Sequence, residues 1–264
     1  MNVEDDDPNL SGSDHIRPGE QRTAACYRDL TWTFSPQLPS HPEMTSRSRE
    51  HISVERDGFY IREWTFFEHT GTHVDAPSHL VEGGRGASEL MPEELVVPAV
   101  VVDISAKVAV HSDASVTVED LVTFEDRYGQ ITTRAVVLMY SGWEHRASTW
   151  NEYIGLDSQG SCSFPGFSPE AARWLVEHRD VSGVGVDTSS LDTGSNTYRR
   201  ARKPGGPPMV GDFPAHRAIL GADRYGIENV RNHGTLPPTG IELFVGLVPL
   251  EYGSGAPCRL LARY

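Results

Sequence analysis

A short segment near residue 70 concentrates residue types that bind metal ions. It reads His-Thr-Gly-Thr-His-Val-Asp-Ala-Pro-Ser-His and holds four candidate ligands, which are His69, His73, Asp75 and His79. Imidazole and carboxylate groups without a thiolate suit Zn²⁺ or Mn²⁺ better than copper or an iron–sulfur cluster. An ion with an open coordination position activates water for attack on a carbonyl. We therefore predict a metal site with hydrolytic chemistry, in preference to a polar loop with coincidental histidines.

This segment must bend for its ligands to meet. Gly71 and Pro77 disfavour a helix. In a straight strand the four ligands, all at odd-numbered positions, would point the same way. Ten residues of strand span roughly 33 Å, however, which is too far for one ion. We expect a strand end that runs into a tight turn, with bends at Gly71 and Pro77.

The composition excludes several classes of function. The chain has 264 residues and a net charge of −14, from 23 Lys and Arg against 37 Asp and Glu. Such an acidic chain is disfavoured as a partner of nucleic acid or of anionic membrane surfaces. The longest apolar run, residues 95–102, is far shorter than the roughly 20 residues of a membrane-spanning helix. The three distant cysteines offer no disulfide framework and suit a reducing cytoplasm.

The N-terminal residues differ from the rest of the chain. Residues 1–25 carry six acidic side chains and no apolar stretch. This pattern is unlike a signal or transit peptide and predicts a disordered acidic tail. Residues 26–264 are expected to form a single domain.

Strand and helix patterns are mixed along this domain. Strands are predicted at residues 60–68, 97–104, 135–140, 183–186, 242–248 and 259–262. Helices are predicted to begin at the caps Thr117, Ser168 and Asp212, and the first and third are expected to end at Gly129 and Gly221. Strands and helices without strict alternation indicate an α/β or α+β domain.

A basic segment interrupts this pattern at residues 192–211. It contains four cations (Arg199, Arg200, Arg202 and Lys203), followed by Pro-Gly-Gly-Pro-Pro. Such a composition disfavours a regular element. The segment is either a solvated surface loop or a lid over the site, in which an arginine binds a substrate carboxylate.

The ligand segment also carries a family resemblance. It reads HxGTHxDxPxH, which resembles the signature of a cyclase family that includes bacterial kynurenine formamidases, isatin hydrolases and cyclases of aromatic polyketide pathways. Further segments resemble the same family, at residues 141–143, 185–192, 213–216, 228–229 and 253–257. The resemblance extends from about Arg28 to the C-terminus. It implies an α/β fold of the swivelling β/β/α type with a mixed β-sheet core, in a homodimer or homotetramer.

The resemblance assigns a role to each matched residue. His69, His73 and Asp75 match the ligands of one ion. His216 and Glu228, with Asp75 bridging, match those of a second ion or complete a single site, so one or two Zn²⁺ or Mn²⁺ ions per chain are expected. Without the family, His216 would read as a helix-start histidine and Glu228 as a surface carboxylate.

His79 matches the family's general acid/base. An imidazole titrates near neutrality, and a position beside metal ligands suits proton transfer. Asp187 and Asp192 either orient ligand imidazoles or cap a strand end. Six other histidines show no pattern and are expected at the surface, which are His15, His51, His111, His145, His178 and His233.

Three residues are candidate substrate contacts, which are His41, Trp143 and Ser254. His41 aligns with a tryptophan that packs on the aromatic substrate in kynurenine formamidases, so N-formylkynurenine is disfavoured as the specific substrate. Trp143 is either pocket wall or core. Ser254 belongs to the C-terminal small-residue loop at residues 253–257.

The resemblance implies metal-dependent hydrolysis of a C–N bond in a small molecule, an aryl formamide or a cyclic amide. Metal-activated water would attack the carbonyl, and His79 would pass the proton of that water to the leaving nitrogen. The same groups fit a lactone. The alternatives are a cyclase acting on an aromatic polyketide intermediate, and a metal-stabilised binding protein that has lost turnover. The presence of His79 argues against the binding protein, because metal binding alone does not require it.

Overall fold

A computed structural model describes residues 25–198 and 211–264. Residues 1–24 of the predicted acidic tail and the four cations of the basic segment lie outside the described residues. The strands are Tyr27–Asp29 (β1), Arg47–Ile52 (β2), Ile61–Thr65 (β3), His73–Asp75 (β4), Val96–Asp103 (β5), Ser115–Val116 (β6), Val136–Tyr140 (β7), Gly166–Phe167 (β8), Gly183–Val186 (β9), Tyr225–Glu228 (β10), Ile241–Leu247 (β11) and Gly255–Arg263 (β12). The α-helices are Val54–Asp57 (α1), Pro92–Leu95 (α2), Ser105–Val110 (α3), Val118–Tyr128 (α4), Trp150–Tyr153 (α5), Pro169–Arg179 (α6), Gly194–Thr197 (α7) and Pro214–Leu220 (α8).

Eight of these strands form one mixed sheet that closes on itself. The strand order is β1-β12-β11-β5-β7-β9-β10-β4, and β4 also pairs with β12. The pairs β5–β7, β7–β9 and β9–β10 are parallel, whereas the other pairs are antiparallel. The mixed α/β core implied by the family resemblance is confirmed. Strand β4, which carries two of the candidate ligands, is the strand that closes the sheet.

Strands β7 and β9 at the centre of the sheet are apolar and almost entirely buried. In β7 the residues from Val136 to Met139 are fully buried. Helices α4, α6 and α8 cover one face of the sheet through Leu121, Leu175 and Ile219. A second core fills the other face. Strands buried on both faces are typical of parallel sheets, and each large apolar side chain so buried contributes about 1.5–3 kcal/mol.

Two of the three predicted helix starts are confirmed. Thr117 caps α4 in a reciprocal pair with Asp120, and Ser168 caps α6. The prediction that Asp212 caps the third helix is wrong. Phe213, in a left-handed conformation, precedes α8, and the carboxylate of Asp192 accepts the first backbone N–H groups of that helix.

Two features bear on the remaining sequence predictions. The predicted strand at 60–68 is the shorter β3, which pairs with β2 in a two-stranded sheet that is separate from the main sheet. Cys162 and Cys258 are buried free thiols. Within residues 25–198 and 211–264, no helix combines the length and the apolar character needed to cross a bilayer.

Candidate metal centre

The register of β4 places its ligands beside those of β10. His73 and Asp75 are two residues apart in the strand, so both project to the same face. Glu228 of β10 lies directly opposite His73 in the antiparallel pair. Closure of the sheet therefore unites side chains that are distant in sequence.

The predicted bends occur on either side of β4. Gly71 has a φ of +67°, a left-handed conformation that favours glycine, and Pro77 begins a 3₁₀ turn that ends at His79. On the second neighbour of β4, Gly255 pairs with Asp75. A Cβ atom at Gly255 would lie 2.6 Å from Cε1 of His69, so a side chain here would displace that imidazole. Because Gly255 has no side chain, the His69 ring can occupy this space.

His216 enters the site from the first turn of α8. Its Nδ1 lies 2.6 Å from Oδ2 of Asp192, and its Nε2 faces Glu228 Oε1 at 3.1 Å and Asp75 Oδ2 at 3.4 Å. Asp192 is fully buried. Of the two roles considered for Asp192, orientation of a ligand imidazole is the one that the structure shows, together with binding the start of α8.

The hydrogen-bond partners of each imidazole determine which of its two nitrogens faces the centre. Nδ1 of His73 lies 2.8 Å from the carbonyl of Gly71, which only accepts, so Nδ1 carries the proton and Nε2 is free. This Nε2 is buried without a hydrogen bond from any described residue, and it lies 3.2 Å from Asp75 Oδ1 and 3.4 Å from Glu228 Oε2. In the same way, the carboxylate of Asp192 holds the Nδ1 proton of His216.

His69 presents its other nitrogen to the centre. The Ser254 hydroxyl donates to Glu68 Oε1 and therefore accepts from His69 Nε2, at 3.0 Å. The lone pair on His69 Nδ1 then faces Asp75 Oδ1 at 2.6 Å. Two acceptors at this distance require a proton or a metal ion between or beside them. The inward nitrogens of the three imidazoles thus lie around the carboxylates of Asp75 and Glu228.

The electrostatics of this place favour positive charge. Burial opposes protonation of His73, but the carboxylates of Asp75 and Glu228 outweigh it and raise the pKa of His73 to about 9. Against the same effect of burial, Asp192, Asp75 and Glu228 raise the pKa of His216 well above its ordinary value. Burial and the neighbouring Asp75 charge raise the pKa of Glu228. Without an ion, the inward nitrogens of His73 and His216 therefore hold protons near pH 7, and a divalent cation would take the place of those protons.

Five of the six candidate site residues, all except His216, fall into two groups that share Asp75. The ligand atoms of His73, Asp75 and Glu228 lie within 4.8 Å of one another, and so do those of His69, Asp75 and His79. The first group is buried, whereas in the second His69 is half-buried and His79 is exposed. The grouping thus sets His79 beside His69, whereas the family pattern pairs His69 with His73.

His79 stands at the mouth of the site. Its ring lies 4.1 Å from that of His69 and 6.3 Å from that of His216, measured between ring centroids. Although one side of the ring meets solvent, loss of water to the surrounding protein and the nearby imidazoles outweigh the attraction of Asp75. They lower the pKa of His79 to about 4. The His79 ring is therefore neutral near pH 7.

The predicted substrate contacts differ in their positions. The cavity above the ligands has a volume of about 240 Å³, and His41 is part of its wall, with its ring edge-on to Trp150. Trp143 is 1% exposed and donates to the carbonyl of Tyr153, so it belongs to the core and its predicted substrate contact is wrong. Ser254 does not line this cavity, because its hydroxyl is held between Glu68 and His69.

The surroundings of three further residues either correct the sequence interpretation or decide between its alternatives. Glu228 is 6% exposed and is not a surface carboxylate. His233 is fully buried, and its Nε2 lies 2.8 Å from the carbonyl of Met139. The carboxylate of Asp187 accepts from Ser141 and from the backbone of Trp143, so among the described residues it orients no ligand imidazole.

Sequence reasoning missed several residues of the site. Glu68 precedes the ligand segment and fixes His69 through Ser254. Thr70 and Ser189 line the cavity with buried hydroxyls that have no partner among the described residues. Glu68 directly precedes the four candidate ligands of the segment and is itself acidic, so the sequence could have identified it. The hydroxyls of Thr70 and Ser189 carry no such sequence signal.

Comparisons with known proteins agree with this geometry. Residues 28–193, more than half of the chain, match the family model described as "Putative cyclase". The chain is 27% identical over 248 residues to an isatin hydrolase of Roseibium aggregatum, covering 89% of this chain and 90% of that protein. It is also 27% identical to a kynurenine formamidase of Salinibacter ruber, over 96% and 93% of the two chains.

A solved structure gives the same result. Isatin hydrolase A from Ralstonia solanacearum superposes with a TM-score of 0.79 and 31% identity, over 90% of this chain and 92% of that one. The fold, the ligand segment and the sequence match agree on one family, and the chain belongs to this cyclase family.

Proposed function

We propose that the protein is a metal-dependent hydrolase that cleaves the C–N bond of an aryl formamide or a cyclic amide. The observation that carries the proposal is the convergence of three imidazole lone pairs and two carboxylates at the end of a cavity with aromatic walls. Relatives named isatin hydrolase and kynurenine formamidase support this class of reaction.

A divalent cation fits the donor set. His69, His73 and His216 each direct a lone pair inward, and the carboxylates of Asp75 and Glu228 complete the set. When bound, the ion supplies a Lewis acid and lowers the pKa of water toward neutrality. We propose Zn²⁺ or Mn²⁺ and one or two ions per chain, because nitrogen and oxygen donors suit both metals.

His79 is the proposed general acid/base. A neutral imidazole can accept a proton from the attacking water and return it to the nitrogen that leaves as the C–N bond breaks. The products are then a carboxylate and an amine. Its place at the mouth, in contact with the ring of His69, keeps His79 beside both the ligands and the cavity.

The cavity wall supports an aromatic substrate. His41 and Trp150 stand edge-on with ring centroids 6.0 Å apart, an arrangement in which a further flat ring can pack. The buried hydroxyls of Thr70 and Ser189 are proposed to bind substrate oxygen atoms, because each lacks a partner among the described residues. The predicted lid role of residues 199–203 stays a prediction from the sequence.

Turnover on three aryl substrates tests the proposal. The purified chain, loaded with Zn²⁺ or Mn²⁺, is offered an N-formyl arylamine, an isatin-like lactam and an aryl lactone. We expect hydrolysis of an amide, loss of activity after chelation and recovery when the metal is restored. Hydrolysis of the lactone alone would assign the lactone alternative. No hydrolysis by a metal-loaded protein would contradict the proposal and favour a cyclase.

We also propose that the chain forms a homodimer or homotetramer in the cytoplasm. The two-stranded sheet of β2 and β3 and the residues after it expose Tyr60, Ile61, Trp64 and Phe67, each by 38% or more. Exposed apolar patches mark interaction sites, and an isolated hairpin is only marginally stable. The molar mass of Trp64→Ser in solution, measured by light scattering, should be smaller than that of the unaltered chain. A monomer mass for both proteins would refute self-association. The free thiols of Cys162 and Cys258 support a reducing compartment.

A further inference from the structure

Tyr153 is a buried tyrosine outside the cavity wall that nevertheless connects to the metal centre. It ends α5 and is 2% exposed. The indole Nε1 of Trp143 donates to the Tyr153 carbonyl at 2.6 Å, which fixes the backbone at this position. The Tyr153 hydroxyl lies 2.7 Å from Oδ1 of Asn229 and 3.0 Å from the carbonyl of Asp187.

The donors and acceptors around Tyr153 determine the direction of its hydroxyl hydrogen bond. Nδ2 of Asn229 lies 2.9 Å from the carbonyl of Gly71, which can only accept, so the amide is oriented with Nδ2 toward Gly71. Oδ1 of Asn229 then faces Tyr153 and must accept. The Tyr153 hydroxyl has one proton and two acceptors, and we assign the proton to Asn229 Oδ1 because that contact, at 2.7 Å, is shorter than the 3.0 Å contact with the carbonyl of Asp187.

The same Gly71 carbonyl holds a candidate metal ligand. It accepts from Asn229 Nδ2 at 2.9 Å and from His73 Nδ1 at 2.8 Å, so both protons share one oxygen. Asn229 also follows Glu228 directly in the chain. Its backbone is held on both sides, because its carbonyl accepts from the Thr72 hydroxyl at 2.8 Å and its N–H donates to Thr188.

We propose that Tyr153 is a positioning residue of the metal centre. Its hydroxyl fixes the Asn229 amide, the amide and His73 together fix the Gly71 carbonyl, and the Nε2 lone pair of His73 is thereby aimed at Asp75 and Glu228. Trp143, whose indole holds the backbone of Tyr153, anchors this chain of hydrogen bonds in the core. The inference rests on the proposed function, because it requires that the centre binds a metal ion.

Zn²⁺ affinity of the Tyr153→Phe variant tests this inference. The change removes one oxygen atom and keeps the ring. Direct partners of a metal ligand typically contribute 10–100-fold to metal affinity, and Tyr153 acts through Asn229 and Gly71, so we expect the dissociation constant for Zn²⁺ to rise by up to about tenfold in a chelator competition. The melting temperature of the chelator-treated protein is measured beside it, to separate positioning from a general loss of stability.

Tyr225→Phe is the matched control. Tyr225 is 1% exposed, lies on the same strand as Glu228, and its hydroxyl donates to the carbonyl of Glu94 at 2.7 Å, away from the ligands. Both variants lose a buried tyrosine hydrogen bond, so their metal-free forms should lose similar stability. Only Tyr153→Phe should also lose Zn²⁺ affinity.

A double variant tests the route through Asn229. Asn229→Ala should weaken Zn²⁺ binding at least as much as Tyr153→Phe, and adding Tyr153→Phe to it should cause little further loss, because residues in one network are not additive. Equal Zn²⁺ affinity in Tyr153→Phe and Tyr225→Phe, or additive losses in the double variant, would overturn the inference. An unaltered chain that binds no Zn²⁺ or Mn²⁺ would overturn both the inference and the proposed function.

Discussion

The floor and the rim of the cavity are built in different ways. The floor consists of His73, Asp75, His216 and Glu228, which are 1–6% exposed and lie on paired strands or at the start of a helix. The rim consists of His41 and His79, which are half-buried and exposed, respectively, and lie on a loop and a short 3₁₀ turn. The candidate ligand His69 is half-buried on a loop, and it is assigned to neither group. The floor is fixed by strand register and by buried hydrogen bonds, whereas the rim depends on its loops.

This difference separates two tasks. Groups held by the closed sheet lose little conformational entropy when they bind an ion, so the floor suits metal binding. Groups on loops can differ between relatives without disturbing the sheet, so the rim suits substrate choice and proton transfer. Changes in the floor should therefore remove the metal, and changes in the rim should alter turnover or substrate binding while the metal stays.

The largest effect is expected from Asp75→Ala. This carboxylate belongs to both ligand groups, so its loss should abolish metal binding and with it all metal-dependent turnover. Because an ion bound only by the folded state adds to stability, the variant should also lose the rise in melting temperature that Zn²⁺ produces. Thermal unfolding with and without Zn²⁺ measures this. Asp126→Ala, which removes an exposed carboxylate on α4, is the control. A melting temperature of Asp75→Ala that still rises with Zn²⁺ would contradict the assignment of Asp75 to metal binding.

His79→Ala should have the next largest effect. A general acid/base contributes typically 10²–10⁴-fold to rate, so kcat should fall by about that factor. KM should change less, because the transferred proton matters mainly in the transition state. Steady-state kinetics on the best amide substrate give both values. His111→Ala, an exposed histidine remote from the ligands in sequence, should leave both unchanged, and full activity in His79→Ala would remove His79 from the mechanism.

Asp192→Asn should weaken metal binding without abolishing it. The change removes the negative charge that holds the Nδ1 proton of His216, at 2.6 Å, and keeps the shape of the side chain. Partners of this kind contribute about 10–100-fold to metal affinity. Chelator competition with Zn²⁺ gives the value. An unchanged affinity would show that Asp192 serves only the start of α8.

The smallest effect is expected from His41→Ala at the rim. Loss of one wall contact should raise KM about fivefold, which corresponds to about 1 kcal/mol, the low end of the range for a contact in a pocket, and leave kcat and metal content unchanged. Kinetics and elemental analysis of the same preparation measure the three quantities. A fall in metal content would place His41 in the floor instead.

Local sequence patterns predicted part of this architecture. The ligand segment, its bends at Gly71 and Pro77, and the caps at Thr117 and Ser168 depend on residues within a few positions of one another. Their conformations follow from φ preferences and from hydrogen bonds to the adjacent backbone, so the sequence alone is sufficient to predict them.

Long-range pairing could not be predicted from single residues. Glu228 is a ligand candidate only because β10 pairs with β4, and that register depends on closure of the whole sheet. His233 and Trp143 are buried for the same reason, because distant segments pack over them. For His216 and Glu228 the family resemblance supplied what spacing could not. The Asp212 cap failed because a carboxylate twenty positions earlier, Asp192, binds the start of α8.

The most direct test of the division between floor and rim is the metal content of two variants. His73→Ala and His79→Ala are purified without chelator, and the metal-to-protein ratio of each is measured by elemental analysis beside the unaltered chain. We predict that His79→Ala keeps the full ratio while losing most of its kcat, and that His73→Ala loses metal and activity together. A lowered metal ratio in His79→Ala would make His79 a ligand with His69 and Asp75, and would contradict the assignment of the rim to proton transfer.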